Sequence, residues 1–136
     1  MVQQIHFQLP QQRRGAHLVT RLVEQRLSIL PDLGFVNLFL MHTSAALTIN
    51  ENADPSVRTD LTASLDRLVK EREPFYTHIY EGDDDMPAHI KSSLLGVSLT
   101  IPISGGRLHM GTWQGIYLCE FRETGGARNI TATIYS

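Results

Sequence analysis

The chain has 136 residues, of which 42% are hydrophobic and 19% charged, so it can bury one core but is too short for two, and a single domain over residues 1–136 is expected. Twelve Lys+Arg against fourteen Asp+Glu leave a formal net charge of −2, and no basic block is present to neutralise a phosphate backbone, which excludes general nucleic-acid binding. No apolar run approaches the roughly 20 residues of a bilayer span and no signal-type segment opens the chain, so no membrane contact and a cytoplasmic location are expected.

Ile5, Phe7 and Leu9 alternate with polar residues, the period of a half-buried strand. Between Ala16 and Leu30 the apolar residues fall mostly at three- and four-residue spacings and Pro31 closes the segment, which predicts an amphipathic helix. Phe35 to Met41 is almost continuously apolar and reads as a strand buried on both faces, followed by another over Ala45 to Ile49. Asp54-Pro55 marks a helix start, because Asp accepts an orphan amide hydrogen and Pro at the first position has no amide hydrogen to satisfy, and Val57, Leu61, Leu65, Leu68 and Val69 then mark its apolar face.

Glu71 to Asp85 has no sustained period and reads as a long surface loop. Met86 to Leu95 reads as a short helix that Gly96 stops. Val97 to Ile103, Arg107 to Met110, Gln114 to Phe121 and Arg128 to Tyr135 read as strands divided by glycines. About seven strands and three helices, with the last four strands consecutive, predict an α+β fold: a largely antiparallel β-sandwich or partly closed barrel.

The single cysteine, Cys119, excludes an internal disulfide and a thiolate cage, and it alternates within an apolar strand as a buried, inert thiol would. Any metal must then be held by His and carboxylates. His42 follows a buried strand, His78 lies in the long loop, and His89 falls in the first turn of the Pro87 helix, where the helix dipole disfavours an imidazolium and suits the ring to ligate a metal or act as a base. Three imidazoles plus water would make an open, zinc-like site. The 42, 78, 89 spacing matches no local metal motif, and three hydrogen-bonded histidines are the alternative.

Glu51, at a strand end between two amides, suits a general base, and Glu81 is placed to support His78. Asp83 to Asp85 suit the orienting of a cation, but read mainly as a solvated acidic run. Trp113, between Gly111-Thr112 and Gln114-Gly115, suits either an aromatic floor for a planar ligand or a core position in a bent strand. Lys91, Arg107, Arg122 and Arg128 are candidates to hold a phosphate, with Gly105-Gly106 and Gly125-Gly126 as amide donors or simply turns.

The runs His42-Thr43-Ser44-Ala45, Asn50-Glu51-Asn52-Ala53-Asp54-Pro55, Glu81-Gly82-Asp83-Asp84-Asp85-Met86-Pro87-Ala88-His89-Ile90-Lys91, Leu95-Gly96, Ile101-Pro102 and Gly111-Thr112-Trp113-Gln114-Gly115-Ile116 together resemble the YjbQ-like family, often labelled secondary thiamine-phosphate synthase. The resemblance spans nearly the whole chain. It implies an α+β, sandwich-like domain, a homotrimer with sites near subunit boundaries, and a weak thiamine-phosphate synthase activity that joins a pyrimidine methyl diphosphate to a thiazole phosphate with release of diphosphate.

By the same resemblance, His42, His78 and His89 surround a divalent metal ion, zinc or magnesium, or an anion. Glu51, Glu81 and Gln114 are the expected catalytic residues, and Asn50, Thr112, Trp113 and Lys91 the expected contacts to a phosphorylated small-molecule substrate. Two further readings stand beside the transferase: a metal-dependent hydrolase with Glu51 as base, and a non-catalytic trimeric binding or regulatory module with a structural ion.

Overall fold

The computed structural model describes residues 1–136. Eight strands and three helices follow in the order β1 (Val2–Leu9), β2 (Gly15–Leu18), α1 (Thr20–Leu27), β3 (Leu33–Leu40), β4 (Ala45–Glu51), α2 (Pro55–Leu68), α3 (Asp85–Leu95), β5 (Ser98–Ser104), β6 (Arg107–Leu108), β7 (Gln114–Glu120) and β8 (Arg128–Tyr135). They form a five-stranded sheet of order β1-β8-β3-β5-β6 and a three-stranded sheet of order β2-β7-β4. Every strand pair is antiparallel, so the α+β, sandwich-like architecture is the one the residue pattern predicts.

The two sheets enclose the larger core. Phe7, Val36, Leu38, Ile101, Ile130 and Ala132 face inward from the five-stranded sheet, and Ala45, Leu47, Ile116 and Leu118 meet them from the three-stranded one. The opposite side of the smaller sheet, with Ala46, Tyr117, Cys119 and Phe121, packs with Leu65 of α2 and Ala88 of α3. β7 is therefore apolar on both faces because both are covered. Burial raises the Cys119 thiol to about 12, which keeps it protonated and unreactive.

Three sequence expectations change in the structure. The helix predicted from Ala16 starts only at Thr20, because Gly15 to Leu18 pair with Glu120 to Tyr117 of β7 as an edge strand; ladder hydrogen bonds and sheet packing override the helical spacing. β3 is buried on one face only: Val36, Leu38 and Leu40 point inward, whereas Phe35 and Phe39 stay 41% and 45% exposed. Leu68, assigned to the apolar face of α2, is 76% exposed, while Leu65 and Leu61 of that face make the contact with the smaller sheet.

The helix start at Asp54-Pro55 is as expected, with the Asp54 carboxylate accepting from the Ser56 amide. Gly96 ends α3 at φ 95°, a conformation that favours glycine. Gly34 is required for a different reason: a Cβ there would lie 2.0 Å from the Tyr135 carbonyl oxygen on the neighbouring strand. Gly34→Ala must push β3 and β8 apart, and a loss of about 1–3 kcal/mol is expected in urea unfolding.

Candidate functional site

α3 begins at Asp85 and carries His89 four residues on, so both side chains share a face of the helix. The preceding loop brings His78 to the same point. His78 Nε2 lies 2.6 Å from Asp85 Oδ2, His89 Nε2 lies 3.1 Å from the same oxygen, and the two rings meet edge to face at 5.3 Å. The candidate ligand atoms of these three residues all lie within 4.8 Å of one another.

His89 Nδ1 is 2.8 Å from the Thr43 carbonyl oxygen. A carbonyl oxygen only accepts, so Nδ1 carries the hydrogen and the neutral ring turns its Nε2 lone pair toward the Asp85 carboxylate. Lone pair against carboxylate is repulsive until a proton or a cation lies between them. The donor set of two imidazoles and one carboxylate, with one ring fixed from behind by a backbone carbonyl, fits a divalent metal of the zinc type. Magnesium fits less well, since it prefers an all-oxygen shell.

Asp85 is 1% exposed, and its other oxygen, Oδ1, accepts from Arg122 Nη1 at 2.6 Å. Burial opposes the ionised form. The hydrogen bond with His78, the contact with His89 and the charge of Arg122 outweigh it and hold the carboxyl below its ordinary value. Arg122 also donates to Asp84 Oδ2 at 2.9 Å and to the Glu81 carbonyl at 2.9 Å, which ties the loop to the end of β7.

Two of the three expected metal histidines thus come together and the third stands apart. The His42 Nε2 accepts the Asn129 amide hydrogen at 2.6 Å, while its ring shares with His89 the wall of an open cleft of about 640 Å³ that also includes Phe39, Met41 and Ser92. Burial first, then the positive charge of Arg128 against the smaller opposing effect of Glu120, push the His42 imidazole below its ordinary 6.5. His42 is expected to be neutral at pH 7. The stability contributed by its neutral ring is complete above about 6.5 and lost as the pH falls through the lowered folded value, and a ¹⁵N NMR titration of the ring nitrogens reads that value directly.

Glu51, Asn50, Thr112, Trp113 and Gln114 form a second group. Glu51 pairs with Gln114 in the β4–β7 register and Asn50 with Gly115. Asn52 Nδ2 donates to the Thr112 and Gln114 carbonyls, each at 3.1 Å, and Gln114 Oε1 accepts the Gly111 amide at 2.8 Å. Trp113 stands out of this turn 64% exposed, so its ring is no core residue. The group lies at the far end of β4 from His42 and Thr43, about 20 Å away along six residues at roughly 3.3 Å each.

Glu81 keeps near the histidines, its Oε2 3.8 Å from His78 Nε2. Lys91 joins neither group: it is 1% exposed, its ammonium 2.5 Å from Asp66 Oδ1, and it is spent on a structural pair. Arg128 and Arg122 are likewise bound to Glu120 and to Asp84 and Asp85, which leaves only Arg107 of the four cations considered for phosphate free of a carboxylate partner. Asp85 is the candidate ligand that the sequence does not single out from Asp83 and Asp84. The Asp85-x-x-x-His89 spacing is the available signal, concealed because the helix starts one residue earlier than its sequence pattern suggests and the three aspartates read as one solvated run.

The α+β sandwich thus gathers two histidines and an aspartate at the start of a helix beside an open cleft, an arrangement whose donor atoms could hold a divalent ion. Residues 4–136 match the family model described as UPF0047 protein YjbQ-like, and the chain belongs to that family. The UPF0047 protein YjbQ of Salmonella typhimurium is 52% identical over 128 residues, covering 93% of this chain and 92% of the relative, and YugU of Bacillus subtilis is 38% identical over 76% of each. Among solved structures, a conserved hypothetical protein from Thermus thermophilus superposes with a TM-score of 0.82 at 37% identity, covering 94% of this chain and 97% of that one. An uncharacterised YjbQ/UPF0047 protein from Clostridium acetobutylicum gives 0.82 at 36%, covering 96% and 99%.

Proposed function

We propose that this chain is a divalent-metal-dependent transferase acting on a phosphorylated small molecule, with the joining of a pyrimidine methyl diphosphate to a thiazole phosphate as the reaction to test first. The observation that carries the reading is the convergence of His78 and His89 on one oxygen of buried Asp85, with the His89 tautomer set by Thr43. His78, Asp85 and His89 would hold the ion, which when bound supplies positive charge against a departing diphosphate. Arg122 holds Asp85 so that Oδ2 faces the rings, and Trp113 offers an exposed planar face on which a heteroaromatic ring would stack.

A homotrimer belongs to this proposal. The histidines and the Glu51–Gln114–Trp113 group occupy opposite ends of β4, so one pocket containing both takes its second half from another copy. Exposed Phe39 and Met41 beside the cleft suit closure by a neighbour. A cytoplasmic location is also proposed, supported by a lone buried free thiol and by the absence of any helix long and apolar enough to cross a membrane.

The test is thiamine-phosphate formation by protein of defined zinc or magnesium content, beside His89→Ala. A turnover of about 1–10³ per second that His89→Ala abolishes supports the synthase reading. A rate several orders of magnitude lower, or full metal content and activity in the variant, overturns it. The second reading, a metal-dependent hydrolase, is favoured by a donor set that leaves coordination positions open to water, and it predicts product from a single phosphate ester with no second substrate.

A further inference from the structure

Arg58 lies in the first part of α2, half-buried. The other arginines withdrawn from solvent each hold a carboxylate: Arg14 that of Asp66, Arg122 that of Asp84 and Arg128 that of Glu120. Arg58 holds none, and its Nε is the one buried side-chain nitrogen or oxygen in the chain without a hydrogen-bond partner. Native structures seldom leave a buried charged donor unpaired, because the lost hydration is not recovered elsewhere.

The surroundings show what would pair it. The guanidinium carbon lies 5.9 Å from the ring centroid of Tyr117, itself 1% exposed and tied by its hydroxyl to the Glu51 carbonyl. Contact with a fixed aromatic ring limits the rotamers of the guanidinium and leaves its N–H groups without protein acceptors. Arg58 lines an open groove of about 420 Å³ between α2 and β2, with Thr59, Thr62 and Ala63 on one wall and Ala16 and His17 on the other. Asp66, at the groove's end, does not compete for Arg58, since Arg14 and Lys91 already hold it. Thr59 spends its hydroxyl hydrogen on the Pro55 carbonyl, whereas the Thr62 hydroxyl has no partner to give up.

We propose that this groove binds the phosphate group of a small anionic ligand, with Arg58 as a two-pronged donor and the Thr62 hydroxyl as a third. Phosphate is favoured over carboxylate because it keeps an oxygen for the hydroxyl after two have met the guanidinium. None of the groove's walls belongs to the His78–Asp85–His89 cluster, so the site stands apart from the metal reading.

The test is calorimetric titration of the wild-type protein with inorganic phosphate, with acetate as comparison. Saturable binding of phosphate, weakened at least tenfold in Arg58→Gln and in Ala63→Glu, is expected. Ala63 is exposed on α2, so Ala63→Glu places a competing carboxylate in the groove without disturbing the core and carries the test should Arg58→Gln fail to fold. No saturable binding, acetate binding as tight as phosphate, or binding indifferent to the folded groove variants overturns the proposal.

Discussion

Asp85→Asn is expected to weaken divalent-metal binding by about 100-fold or more, the upper end of what even outer residues of a metal site cost. The side chain is the same size, and an amide oxygen still accepts from Arg122. What changes is the group facing the histidines: an NH₂ donates to the two Nε2 atoms that Asp85 Oδ2 now faces at 2.6 and 3.1 Å, so the rings are satisfied without an ion and the negative charge that would attract one is gone. Asp84 still holds Arg122 Nε and the Glu123 amide, so the loop stays anchored and the variant should fold. Competition against a chelating dye for zinc measures the affinity, and wild-type affinity in the variant would remove Asp85 from the proposed metal site.

The largest effect on stability is expected from the buried pair of Glu120 and Arg128, which are 0% and 4% exposed. Arg128 Nε and Nη2 reach the two Glu120 oxygens at 2.7 and 2.5 Å, and Nη2 also donates to the Ser44 hydroxyl at 3.1 Å. A Cβ at Gly125 would stand 2.5 Å from Glu120 Oε1 and 2.6 Å from Arg128 Nη2, so only glycine leaves the pair its space. Glu120→Gln strands a buried guanidinium charge, and about 3–5 kcal/mol should be lost in urea unfolding, a large part of the 5–15 kcal/mol typical of a domain.

Replacing both partners, Glu120→Leu with Arg128→Met, should restore most of that loss, because the pair's own desolvation then disappears as well. A double variant as unstable as Glu120→Gln would show that the charges themselves stabilise the fold. The pair also bears on the site. Arg128 binds Ser44, next to the Thr43 carbonyl that orients His89, and Asn129 beside it donates to His42, so Glu120→Gln should loosen both histidines.

Much of the site was legible residue by residue. His78 and His89 stood out because a loop histidine and a first-turn histidine are placed to present ring nitrogens, and Glu51, Gln114 and Trp113 because they cluster at strand ends. Their grouping was not legible. Whether Asp83, Asp84 or Asp85 turns inward depends on where Arg122 arrives from β7, 37 residues beyond Asp85, and whether Lys91 faces a ligand or a carboxylate depends on α2 supplying Asp66.

The amino-acid sequence by itself determined the local order of the chain: the alternation that makes β1 and β8 strands, the Asp54-Pro55 and Gly96 boundaries of the helices, the absence of a thiolate cage, and the α+β class that these elements imply. Those features follow from interactions between residues a few positions apart. Only the tertiary structure decided that Gly15 to Leu18 form an edge strand, that β3 leaves one face open, that Asp85 joins two histidines while His42 and the Glu51 group stand elsewhere, and that Arg58 is left without a partner. Each of these depends on side chains from distant parts of the chain meeting in a low-dielectric interior, where a charge must find its counterpart, and no spacing along the sequence records which counterpart arrives.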